Sequence, residues 1–239
     1  MSARVIRGRA GLVAALAVAL LGLAGCSGGT DATPVQLQIL EAARGGAGRM
    51  AARLRDGQAS APALSRAQLE ATGLTLTEVT VERRDDMTAY LLRTLVRHDS
   101  DPGLIEVWST EDGNVSLTTR NGLVIATRGL GGDLLSSQVE VAENRPGPAG
   151  GGAQVQMIRD LDYRESPLAL SCDLADLGSE TIEILGQRQA TRHLQQRCEG
   201  GGGRVVNDYW TDAGSGIVWQ SRQWAGPYVG YLRLRRVTK

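Results

Sequence analysis

The chain has 239 residues, in which 26 Lys and Arg balance 26 Asp and Glu, and it contains 31 glycines but no phenylalanine. A formal net charge of zero excludes the strongly basic footprint of a nucleic-acid binder. Once the amino-terminal leader described below is set aside, about 210 residues remain, enough for one domain with a substantial core.

That leader is the first element in the chain. Arg4, Arg7 and Arg9 form a positive start, and residues 10–25, AGLVAALAVALLGLAG, are an unbroken apolar and small-residue run. The run is shorter than the about 20 apolar residues of a bilayer span and fits the apolar region of a secretory signal. It ends in LAGC, Leu23 to Cys26, which resembles the lipobox where bacterial lipoproteins are cut and acylated on the cysteine thiol. We therefore expect a lipoprotein signal peptide over 1–25, and lipid (palmitate) attachment at Cys26. A flexible polar tether follows over 26–34. One acyl chain anchors only marginally, whereas two or three hold a protein durably. Ser27 stands where Asp would mark inner-membrane retention, so the expected location is the outer membrane, with the domain facing the periplasm. Removing the three leader arginines from 26 leaves 23 basic against 26 acidic residues, a mildly acidic mature chain. Two cysteines remain, Cys172 and Cys198. In an oxidising compartment they are expected to pair, closing a loop of about 25 residues; the other reading is two free thiols. They leave no cysteine for a zinc cluster.

Residues 35–56 have the pattern of a helix weakened by Gly45, Gly46 and Gly48, or of two short helices. In SRAQLEATG, Ser65 and Gln68 form a capping-box signature and Gly73 is a stop, which predicts a short helix. From Leu76 the pattern changes to short β-prone runs between turn residues. Strands are predicted near 77–84, 88–97, 103–109, 114–120, 123–128, 136–142, 154–162, 180–186, 189–198, 203–211, 216–224 and 228–237. Asn121-Gly122 is a two-residue hairpin signal, and ENRPGPAGGGA, 143–153, is a loop. The mature chain is thus one β-rich domain over 35–239, an antiparallel meander that forms a sandwich, a barrel or a strongly curved sheet.

Residues with chemical potential are few. His98 and His193 are the two possible near-neutral bases, and no nucleophile or metalloprotease motif accompanies them. Asp160 and Asp162 would share one face of a strand, a spacing that two-carboxylate glycoside chemistry could use; a solvated strand face explains them more simply. The same holds for Asp85 and Asp86. RGLGGDLLSSQ, 128–138, lacks the lysine of a phosphate loop, and reads as a tight turn with Asp133 capping a short helical turn.

Six of the nine aromatic residues lie from Tyr209 onward. Strand alternation puts Ile217, Trp219, Ser221 and Gln223 on one face, and Val218, Gln220, Arg222 and Trp224 on the other. In the last strand Tyr228, Leu232 and Leu234 share a face, opposite Val229, Tyr231, Arg233 and Arg235. Rings on both faces fit either a core or a partly exposed platform for a glycan or protein. Arg222, Arg233 and Arg235 could line a basic strip for an acidic polysaccharide, or protect a sheet edge.

NDYWTDAGSGIVWQSRQWAGPYVGYLRLR is similar to the closing segment of the YjbF/GfcB family, the group 4 capsule polysaccharide lipoproteins. The matching positions are Asn207, Tyr209, Trp210, Trp219, Ser221, Gln223, Trp224, Gly226 and Pro227. SRAQLEATG, VWSTEDGNVSLTTRNGLVIATRGLGGDL and Cys198 in RCE resemble the family too. The resemblance implies an outer-membrane lipoprotein that works with capsule or exopolysaccharide export, with polysaccharide and export proteins as partners. It brings no catalytic residues, no cofactor and no metal. The implied fold is a strongly curved antiparallel sheet, a half-barrel like those of lipoprotein carriers, with one or two short amino-terminal helices. The glycine-rich loop at 145–152 has no counterpart in that pattern. The expected function is therefore a non-catalytic accessory lipoprotein, with Arg233 and the C-terminal rings as possible contacts. A carrier of lipid or acyl chains in the concave sheet is the alternative, followed by a glycan-modifying hydrolase.

Overall fold

The computed structural model describes residues 64–201 and 203–238. The lipobox with Cys26, the tether and the helix expected over 35–56 lie outside the described residues. The described part begins with helix α1, Arg66–Glu70, one turn long and capped as its sequence predicts. The Gln68 amide donates to Ser65 Oγ at 3.3 Å, and the Ser65 amide donates to Gln68 Oε1 at 2.9 Å. Gly73 stops the segment at φ 64°, a left-handed conformation that suits glycine. Arg66 fixes the helix by donating to the carbonyls of Ile184, Leu185 and Val237.

Twelve strands follow: β1 Leu76–Val81, β2 Met87–Arg97, β3 Ile105–Ser109, β4 Ser116–Arg120, β5 Leu123–Arg128, β6 Leu134–Ser137, β7 Gly152–Arg159, β8 Glu165–Ile184, β9 Gln187–Gly200, β10 Gly203–Asp212, β11 Ile217–Trp224 and β12 Tyr231–Arg236. They form one antiparallel sheet in the order β5-β4-β3-β2-β1-β12-β11-β10-β9-β8-β7-β6. Each strand pairs with its chain neighbour except at one place. β1 also pairs with β12, Val79 facing Leu234, so the first and last of these strands meet in the middle of the sheet. The unpaired neighbours are β5 and β6, which form the seam of a nearly closed, up-and-down barrel. Across that seam the Asp133 carboxylate accepts from the Gly129 and Leu130 amides and the Thr127 hydroxyl, and Thr127 Oγ1 accepts from the Leu134 amide. Asp133 thus caps the 129–133 turn from its far end, as the sequence predicts, although the turn is not helical.

A barrel of about eight strands is just filled by its own side chains, and one of twelve has space to spare. The chain fills that space in two ways. Val79, Val81, Leu91, Trp108, Leu117, Val124, Leu134, Ile158, Leu232 and Leu234 pack into one buried inner cluster. The β4–β5 hairpin and the loop 138–151 then fold over one end. Asn121 and Gly122 form the hairpin turn at φ 48° and 84°. A Cβ on Gly122 would sit 2.4 Å from Val218 Cγ2 of β11, so this tip touches the opposite wall. Asn121 holds the loop: its Nδ2 donates to the Ala142 and Arg145 carbonyls, and its own carbonyl accepts from Gly147. Pro146, Gly147 and Pro148 are consequently buried, unusual for a Gly- and Pro-rich loop.

Several predicted boundaries differ from those observed, and three of the differences have a visible physical reason. β6 covers 134–137 and stops short of the expected 136–142, because Ala142 turns back to bridge Arg145. β8 starts at Glu165, far ahead of the expected 180. Pro167 and Gly178 hide the strand in the sequence. Pro167 lies where β8 is paired with β7 alone, β9 joining from Ser171, so its missing N–H is tolerated; Gly178 sits at a β-bulge after Asp176. β12 begins at Tyr231, because residues 225–230 are a turn closed by Ala225 N donating to Gly230 O and Gly230 N to Gly226 O. Release from the strand inverts the expected facing: Val229 is buried, and Tyr228 is 40% exposed.

Candidate functional site

The C-terminal motif divides between the two faces of the barrel wall. On the inner face of β10 and β11, Asn207, Tyr209, Ser221 and Gln223 are buried. Asn207 Nδ2 donates to Gln196 Oε1 at 3.1 Å, and its Oδ1 accepts from the Trp224 amide at 2.8 Å. Gln223 reaches across the interior to the β4–β5 hairpin. Its Oε1 accepts from the Val124 amide and its Nε2 donates to the Gly122 carbonyl, both at 2.8 Å; Nε2 also bonds Ser221 Oγ. Burial raises the Tyr209 hydroxyl pKa well above its ordinary value, so this ring stays neutral. Trp219 faces Trp210 and Thr211 at a bulge in the β10–β11 ladder and is buried in a second apolar cluster with Leu69 of α1, Leu76, Ile182, Ile184 and Val237. Gly226 and Pro227 form the β11–β12 turn, where Pro227 O accepts from Arg83.

The outer face carries the arginines. Arg222 donates to Glu82 from Nε and Nη2 at 2.9 and 2.8 Å, with its guanidinium 3.5 Å from the centre of the Tyr231 ring. Arg235 Nε donates to Glu78 at 2.8 Å, and the exposed Arg233 approaches Asp86 at 3.5 Å. Each arginine of the expected basic strip is thus neutralised by a carboxylate from β1 or its turn. Trp224 and Tyr231 are half-buried on this face.

The possible catalytic residues serve local structure. Asp160 and Asp162 do not share a strand face, because β7 ends at Arg159 and both lie in the β7–β8 turn. Asp160 Oδ1 accepts from the Asp162 and Arg164 amides at 2.8 Å and shapes that turn. Asp85 and Asp86 occupy the β1–β2 turn at φ 49° and 54°. His98 is exposed, 3.9 Å from Glu143. His193 sits on the outer wall between Glu180 at 3.0 Å and Asp208 at 2.9 Å, stacked on Trp210.

Cys172 and Cys198 are paired across β8 and β9 in a disulfide, as expected. Cys172 lines a cleft of about 300 Å³ at the barrel end covered by loop 138–151. Gly150, Gly151 and Gly152 form one rim, Gln138, Val139 and Glu140 another, and Gln154 and Gln196 stand on the wall. Gly151 packs so close to β8 that a Cβ there would lie 2.4 Å from the Cys172 carbonyl oxygen.

A family model described as group 4 capsule polysaccharide lipoprotein GfcB, YjbF matches residues 38–237. The chain belongs to that family. The crystal structure of the hypothetical lipoprotein YmcC from Escherichia coli K12 is similar in fold, with a TM-score of 0.63 at 18% identity, covering 81% of this chain and 95% of that one. No curated protein matches the chain. Of the C-terminal motif residues, Gln223 ties the β10–β11 wall to the β4–β5 hairpin, and Asn207, Tyr209 and Ser221 are buried on the same inner face. The cleft was not anticipated from the sequence. Its one available signal is glutamine at 154, 156 and 196, on strand parities where a wholly apolar interior would place aliphatic residues.

Proposed function

We propose that this protein is an outer-membrane-anchored accessory lipoprotein in the export or surface assembly of a capsule or exopolysaccharide, and that it acts without catalysis. The family match over residues 38–237 carries the reading. The lipobox ending at Cys26 supports the anchor. The engagement of Asp160 in its own turn supports a non-catalytic role, since its oxygen is already occupied by two amides. The lipid-carrier alternative would need an open apolar interior, and the inner cluster fills that space with the protein's own side chains.

The test is deletion of the gene in its host, complemented with wild type or with Cys26→Ala, with measurement of surface polysaccharide and of the protein's membrane fraction. The reading expects polysaccharide at the surface to fall on deletion. Wild type should restore it, and Cys26→Ala should leave the protein off the outer membrane. Unchanged surface polysaccharide in the deletion strain, under conditions that express the gene, overturns the reading. A depolymerising activity lost in Asp160→Ala would overturn its non-catalytic part.

A further inference from the structure

We infer that the cleft beneath loop 138–151 is a binding subsite for an uncharged, hydroxyl-rich ring, a neutral sugar residue of a glycan. The inference deepens the polysaccharide reading above and rests on it.

Unfilled amide groups are the first observation. Gln154 is only 8% exposed and Gln196 only 4%. The Gln154 Oε1 lies 3.4 Å from Cys172 Sγ and 3.9 Å from Cys198 Sγ, but a disulfide carries no S–H and can donate nothing to it. Among the described residues its Nε2 reaches only Ser137 Oγ, at 3.4 Å. Turned over, the amide would offer Nε2 to disulfide sulfurs that accept only weakly and Oε1 to the Ser137 hydroxyl at 3.4 Å, so neither orientation gives Gln154 a strong partner. Gln196 accepts from Asn207, and its NH₂ donates to no described residue. Buried amides left short of partners are costly, and a native site that contains them is completed by water or by a ligand.

The chemistry of the lining selects the ligand. Amides both donate and accept, which matches the paired hydroxyls of a sugar ring. Among the described residues no lysine, arginine or histidine lines the cleft, and Glu140 is the one carboxylate; both features disfavour phosphates and uronic acids. An acyl chain would need an apolar lining, and this one is made mainly of amides and glycine backbone. At about 300 Å³ the cleft is at the small end of ligand pockets, which suits one ring of a chain and not a long segment. The arginines on the outer wall, where an acidic glycan was expected, already have carboxylate partners.

The test uses the full-length chain in detergent micelles and saturation-transfer NMR with galactose, N-acetylglucosamine and glucuronate. Two variants probe the cleft from opposite sides. Gln154→Met removes the amide at near-constant shape. Gly150→Leu fills the cleft from a rim where nothing lies within 4 Å of a new Cβ and φ is not positive, so this variant is expected to fold. We expect saturable binding of at least one neutral sugar, weaker binding of glucuronate, and a loss of about tenfold or more in either variant. Absence of saturable neutral-sugar binding overturns the inference, as does binding that both folded variants retain. Glucuronate binding as tightly as the neutral sugars overturns the ligand class. If sugar binding fails while the deletion strain still loses surface polysaccharide, the cleft assignment falls and the accessory role stands. If sugar binds but deletion changes nothing at the surface, the role falls and the cleft stands.

Discussion

The inner and outer faces of β10–β12 share one sequence motif but are built differently. Inward residues Asn207, Ser221 and Gln223 are buried, and each has polar atoms tied to backbone groups or amides. Outward residues Arg222, Arg233 and Arg235 meet carboxylates at distances of 2.8–3.5 Å, and remain partly solvated. The same period-two alternation therefore carries interactions of unequal weight. A buried group that loses its partner bears the full cost of desolvation, whereas a surface ion pair is screened and contributes about 0–1 kcal/mol.

The contrast is broken most sharply at Gln223. Gln223→Ala leaves the Val124 amide and the Gly122 carbonyl without partners, and should lower unfolding stability by roughly 2–5 kcal/mol, read from urea denaturation. A loss under 1 kcal/mol would mean that the hairpin is held by other contacts. Replacing both Cys172 and Cys198 with alanine should cost about 2–4 kcal/mol; the same loss should appear in wild type on adding reductant, and in the variant reductant should have no effect. On the outer face, Arg222→Ala should cost about 1 kcal/mol or less, and Arg233→Ala less still. An Arg222 effect as large as that at Gln223 would erase the distinction between the faces.

The smallest effect concerns acid. Arg120 donates to both oxygens of Asp99, at 2.8 and 2.6 Å, and this bond is the main cause of an Asp99 pKa of about 2. Because the folded value lies below the unfolded one of about 3.9, the contribution is present above pH 4 and disappears as pH falls toward 2. In Arg120→Gln, NMR titration should find Asp99 back near the ordinary carboxylate range. A value still near 2 would assign the shift to the Asp101 amide instead.

Much of this architecture is legible in the sequence because local signals and tertiary structure agree. Ser65 and Gln68 cap a helix, Asn121-Gly122 turns a hairpin, and the alternation in β11 puts Ser221 and Gln223 inside. Where the two levels disagree, the sequence misleads. Pro167 and Gly178 mark a break in any local reading, yet β8 runs through both, because one lies where a single neighbour pairs and the other at a bulge. Val229 and Tyr228 exchange faces once a turn, and not a strand, contains them. The cleft is illegible for another reason. Gln154 and Gln196 are 42 positions apart and reach one cleft only because β7 and β9 flank β8 in the sheet, and the loop beside them is positioned by Asn121, from a different hairpin.

The pairing of β1 with β12 governs how the chain folds as it emerges, amino terminus first. β1–β5 can form one meander and β6–β12 a second, each by pairing with the strand that emerged just before it. The two can join only when residues 231–236 arrive. Until then β1 presents an unsatisfied edge with Val79 and Val81 uncovered, a template for pairing with a second nascent copy. A chain stopped a few codons early would therefore be open along its centre, not merely frayed at its end, and its fate would be aggregation or proteolysis and not partial function.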